Sequence, residues 1–246
     1  MKTFSYSTEY PTRRFLWVGT LFMVFARFLF AALFQGLTAV ILFLRGDATP
    51  IQSAAPWWTV YGSLIDIACL ISIAVLMRGE GLKISSLLDF HRDFFWKDVR
   101  MTLLLIFIFL VVGFIGGTLA GILIYGGPPP AIMGGLPLWG TLYSLIIWPA
   151  LWGFTEQLTY QGYVLPRLRI LTRKTWLMIL LIAVGFAMQH TVLPLVFDWK
   201  FILFRAFSSL PLLIMVPIYL RTKRLTPFMI AHWGVDMLSV VITIVM

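Results

Sequence analysis

"WGFTEQLTYQGYVLPRL", residues 152–168, follows a stretch from 137 onward that carries no charge, and it introduces one acid, Glu156. A lone carboxylate in hydrocarbon costs about 2.5–3.5 kcal/mol on insertion scales, so chains retain one there mainly where it is paired or used. Two readings of the stretch compete: a buried helix of a soluble domain, or a membrane span. The rest of the chain decides between them.

Of the 246 residues, 60% are hydrophobic and 12% are charged, with a mean hydropathy of +0.93. Soluble domains carry about twice that share of charge. Apolar runs recur at 15–44, 56–77, 101–125, 137–165, 176–197, 201–220 and 226–246. A helix needs about 20 residues to cross a hydrocarbon core of about 30 Å, and these runs fit that length. Backbone groups cannot go unpaired in lipid, and the short alternating strands of a barrel are missing, so the spans read as helices. The fold expected is all-α, a polytopic transmembrane bundle of about seven helices.

Charge placement tests that count. Lys and Arg accumulate in cytoplasmic loops. Segments 1–14, 78–100, 166–175 and 221–225 hold 15 of the 19 basic residues, from Lys2, Arg13 and Arg14 at the start to Arg224 at the end. The alternate segments hold only Arg45 and Lys200, while Arg27 and Arg205 lie inside spans. The expected topology therefore has a cytoplasmic amino terminus and an external carboxyl terminus. The formal charge of +9 follows largely from topology, with anionic lipid as its ordinary partner. Nucleic acid is not expected as a partner, since no basic cluster is interleaved with aromatics on a soluble module. The first apolar run is about twice a signal h-region and contains Arg27, so it reads as a span and not a cleaved leader. The chain is expected in a bacterial or archaeal cytoplasmic membrane, as a multi-pass protein.

Several features read as architecture. Cys69, the single cysteine, is a small packing residue and can form no disulfide within the chain. Gly113, Gly117 and Gly121 recur every four residues and predict a face where another helix approaches closely. "GGPPPAIMGG", 126–135, is an external turn. Residues 78–100 predict a short amphipathic cytoplasmic segment anchored by Phe95 and Trp96, with His91 interfacial.

The ionisable residues left inside spans are Arg27, Asp66, Glu156, His190, Arg205, His232 and Asp236. Arg27 and Arg205 are expected to pair with Asp66 or Asp236 and steady the bundle. Helical rise puts Glu156, His190, His232 and Asp236 at roughly 15, 21, 9 and 15 Å from the cytoplasmic surface, within one layer. His232 and Asp236, four apart, share a helix face. Two carboxylates and two imidazoles at one depth make either a metal site or an acid/base site that polarises water.

Three motifs carry these residues in order: "EQLTYQ" (Glu156 to Gln161), "FAMQH" (Phe186 to His190) and "HWGVD" (His232 to Asp236). The chain resembles the CPBP family of intramembrane proteases, the CAAX-protease and bacteriocin-processing group also called Abi. Its patterns are EExxxR, FxxxH and HxxxN or HxxxD. The resemblance covers about 137–246 as a protease-like core and leaves 1–136 as amino-terminal membrane helices plus the amphipathic segment. The chain departs from the first pattern at Gln157 and Gln161, where an acid and an arginine would stand. Being four apart on a helix, the two amides are expected to hydrogen-bond in place of an ion pair.

The resemblance implies endopeptidase cleavage of a membrane-associated protein or peptide. Glu156 would take a proton from a water held with His190. His232 and Asp236 would then face the oxyanion or orient the site, with Gln157, Gln161 and Phe186 in support. No cofactor is required in that reading. The alternative uses His190, His232 and Glu156 or Asp236 as zinc ligands, although no HExxH helix is present. Two other classes stay open: an inactive membrane scaffold or immunity-type protein, and a proton- or metal-coupled transporter, for which no repeat halves are visible.

Overall fold

The computed structural model describes residues 12–130 and 136–245. Lys2 and the centre of the proline and glycine turn, 131–135, lie outside the described residues. Ten α-helices follow in order: α1 Arg13–Leu44, α2 Pro50–Ala54, α3 Trp58–Gly79, α4 Phe95–Tyr125, α5 Leu138–Gln157, α6 Leu165–Thr172, α7 Thr175–Thr191, α8 Trp199–Ser209, α9 Met215–Thr222 and α10 Thr226–Val245. A π-helical stretch, Leu158–Val164, joins α5 to α6, and a 3₁₀ turn, Leu210–Ile214, joins α8 to α9, so the long rods number seven among the described residues.

Four stretches are long and apolar enough to cross a membrane: Arg13–Leu44, Pro50–Gly79, Ile84–Tyr125 and Trp199–Thr222. Thr175–Thr191 and Thr226–Ile242 are shorter apolar helices. The molecule is an all-α polytopic bundle, as its hydropathy requires. Its outer face suits a lipid surrounding, with Phe107, Phe114 and Leu123 on α4 exposed, Leu123 by 82%. In water such a face would drive association.

The ends of the helices follow local rules. Gly126 closes α4 in the left-handed region at φ +74°, where a Cβ would be strained. Thr226 and Pro227 open α10, and the exposed amides there are capped from a distance: Asp89 accepts from Leu225 N at 2.6 Å and Thr226 N at 2.9 Å. Arg224 pairs with Asp98 beside it. At the same end Arg167 pairs with buried Glu80, which also accepts from the Tyr163 hydroxyl at 2.9 Å.

Within the bundle, α10 packs on α5 and α4, α1 on α3 and α7, and α8 on α4 and α7. Two glycines set the closest approaches. A Cβ on Gly153 of α5 would lie 2.7 Å from the Trp233 backbone nitrogen of α10. A Cβ on Gly185 of α7 would overlap the Val24 carbonyl oxygen of α1. These contacts draw α5 to α10 and α7 to α1.

Several expectations are corrected. The segment 78–100, expected as one amphipathic stretch, is divided: α3 runs on to Gly79, 3₁₀ turns follow at Ile84–Leu87 and Arg92–Phe94, and α4 already begins at Phe95. Phe95, Trp96 and His91 are nonetheless exposed. The glycine face of α4 comes close to α8 at Gly116, where a Cβ would lie 2.9 Å from the Ser208 carbonyl oxygen, whereas Gly117 meets open space. The fifth span ends as a helix at Thr191, short of 197. Cys69 is buried, as expected.

Candidate active site

The two helix approaches decide where the site forms. Gly153 lies one turn before Glu156, so the tight seam with α10 brings Glu156 and Gln157 against His232. Glu156 Oε1 is 3.7 Å from His232 Nδ1, and Gln157 Nε2 is 2.9 Å from that same nitrogen. The amide N–H donates, which makes Nδ1 the acceptor and puts the hydrogen of neutral His232 on Nε2. That nitrogen lies 3.4 Å from Asp236 Oδ2, the geometry their spacing predicts.

His190 closes the other side. Its Nδ1 lies 2.8 Å from the Phe186 carbonyl, an acceptor only, so Nδ1 carries the hydrogen and Nε2 keeps its lone pair. The Phe186 ring packs 4.5 Å from the imidazole. Arg205 donates to the carbonyls of His190 at 3.2 Å and Leu193 at 2.7 Å. It therefore caps the end of α7, and the expected pairing with Asp236 is replaced by these two bonds. Glu156, His190, His232 and Asp236 line one cavity of about 380 Å³, together with Trp152, Arg205 and other side chains of α3, α4, α5, α7, α8 and α10.

The far side of Glu156 holds groups that sequence reasoning missed or assigned elsewhere. Gln189 Nε2 donates to Glu156 Oε2, and Gln189 Oε1 accepts from the Tyr160 hydroxyl at 3.2 Å. Arg27 pairs with Asp66 at 2.8 Å, as expected, and its Nε also lies 3.9 Å from Glu156 Oε2. Gln189 adjoins His190 in the sequence, but a neutral residue in an apolar helix gives no signal by itself.

Gln157 and Gln161 do not hydrogen-bond each other. Gln157 is taken by His232 and by Met215 Sδ at 3.6 Å, and both amide atoms of buried Gln161 lack a hydrogen-bond partner among the described residues. The physical reason is the π-helical stretch that begins at Leu158. Its i→i+5 bonding widens the turn, so a residue four further on no longer stacks over Gln157.

The zinc alternative needs several ligand side chains gathered at one point. Among the described residues no three His, Cys, Asp or Glu side chains group as a metal site.

The helical bundle thus brings acids and imidazoles from the three motifs to one cavity. A family model described as type II CAAX prenyl endopeptidase Rce1-like matches residues 137–238, from the residue before α5 to a point just beyond Asp236. Over those residues the chain is similar to the Rce1-like family of CAAX endopeptidases. No curated protein and no solved structure matches the chain.

Proposed function

We propose that the chain hydrolyses a peptide bond in a membrane-associated protein or peptide, with Glu156 as general base on a water shared with His190. The water oxygen attacks the scissile carbonyl, Glu156 accepts the proton, and the same proton passes to the leaving amine. His190 Nε2, its lone pair free of protein donors among the described residues, accepts from the second water hydrogen. His232 Nε2–H faces the developing oxyanion, where a fixed donor is worth about 2.7–4 kcal/mol. Gln157, donating to Nδ1, orients the His232 ring. The observation that carries this reading is the convergence of all four side chains on one cavity, with Glu156 Oε1 free of hydrogen bonds on the His232 side among the described residues.

The test is cleavage by the purified full chain of farnesylated CAAX peptides and of unprenylated membrane peptides, with and without a strong chelator. Glu156→Gln keeps shape and hydrogen bonding, and it should cost a hundredfold to ten-thousandfold in kcat, the range of a lost general base. His190→Ala should also fall, and chelator should change nothing. Equal products from wild type and Glu156→Gln would overturn the assignment; loss on chelation with recovery on adding zinc would replace it by a metal mechanism.

A further inference from the structure

Glu156 has two oxygens in unlike surroundings. Oε1 faces His232 and lacks a hydrogen-bond partner among the described residues, whereas Oε2 is met by Gln189 and by the Arg27 guanidinium from α1. Arg27 is wholly buried, an arrangement that costs several kcal/mol unless its charge and N–H groups are used. Asp66 takes Nη1, and the Trp152 ring lies 3.9 Å from the guanidinium carbon. Nε and Nη2 have no hydrogen-bond partner among the described residues, and Nε is the nitrogen 3.9 Å from Glu156 Oε2. The fork is thus fixed on two sides and directed at the carboxylate on a third.

We infer that Arg27, seated by Asp66 and Trp152, is a positioning residue that holds Glu156 by Oε2 and so presents Oε1 to the cavity. Three observations carry it independently. The helix that bears Glu156 offers no cation near the site, because Gln157 and Gln161 are amides and Gln161 hydrogen-bonds to no described residue. Gln189 cannot hold Oε2 in any other orientation, since its own oxygen is taken by Tyr160. The backbone contact of Gly185 with Val24 lies on α1 one turn before Arg27 and brings that helix against the site. A pair serving only to steady the bundle would need Asp66 and Arg27 but no third carboxylate.

This inference rests on Glu156 being the general base, and the experiment separates the two. In the full chain, Arg27→Gln/Asp66→Asn removes both charges of the pair together, so neither is left buried without the other. Its kcat should fall at least tenfold with KM unchanged and the melting temperature in detergent near wild type, while Arg27→Lys recovers to within threefold. A folded double variant that cleaves at the wild-type rate, or that loses only KM, overturns the inference while leaving Glu156→Gln inactive and the proposed function intact. Should the double variant not fold, Asp66→Asn, which removes the seat of Arg27, should lower kcat in the same direction, and an unchanged kcat in it overturns the inference. A double-mutant cycle of Arg27→Gln and Glu156→Gln on melting temperature needs no substrate. Non-additive shifts are expected, and additive shifts overturn the contact even if no peptide is cleaved.

Discussion

At the scale of single residues, the two glutamines of "EQLTYQ" show how a charge balance is kept while its parts change. The acid and the arginine that the EExxxR pattern would place at positions 157 and 161 are amides here, and an acid and an arginine stand beside Glu156 from other helices as Asp66 and Arg27. The net charge around Glu156 is the same. Gln157 is thereby released for a different contact, donating to His232 Nδ1. That bond selects the Nε2–H tautomer, and nitrogen shifts of labelled histidine should show His232 in that form. Gln157→Leu removes the donor and leaves a part-buried ring nitrogen without it, a loss of about 1 kcal/mol. If the tautomer matters to the oxyanion, kcat should fall about tenfold, since about 1.36 kcal/mol is a factor of ten in rate. Unchanged kcat with a changed tautomer would remove His232 from the oxyanion role.

At the scale of helices, the site depends on how closely α5 and α10 approach, and Gly153 sets that distance. The stack of one backbone on another leaves no room for a methyl group, so Gly153→Ala must push the Trp233 nitrogen away by several tenths of an ångström. Overpacking of this kind costs about 1–3 kcal/mol. Glu156 sits one turn from the contact and His232 is part of it, and a displacement near 1 Å can cost about a hundredfold in rate. Gly153→Ala should therefore lower the melting temperature by a few degrees and kcat by a larger factor than that destabilisation implies. A variant that melts earlier yet keeps the wild-type kcat would show the seam to be structural alone. The π-helical stretch that follows works in the opposite sense, turning Gln161 away from Gln157. Neither device has a sequence signature stronger than a glycine in an apolar run.

At the scale of the whole molecule, what the sequence disclosed follows from the range of the interactions involved. The rods were legible because hydropathy acts along the chain, and the His232–Asp236 pair because four residues on a helix is a local spacing. The contacts around Glu156 were not: Arg27 approaches it from α1, and Gln189 reaches it across 33 positions. A spacing argument over "EQLTYQ" gave the wrong partner for Gln157 for the same reason, since the competing contact came from α10. The family match begins at 137, yet Arg27 and Asp66 come from α1 and α3, so the matched segment holds only part of what surrounds its acid. A chain of residues 136–246 alone should then insert without cleaving. Co-expressed with residues 1–130, it should regain activity through the α1–α7 and α3–α5 packing, and the gain should vanish when the amino-terminal piece carries Arg27→Gln/Asp66→Asn. Full activity from the carboxy-terminal piece by itself would make the first three spans dispensable and confine the site to the matched helices.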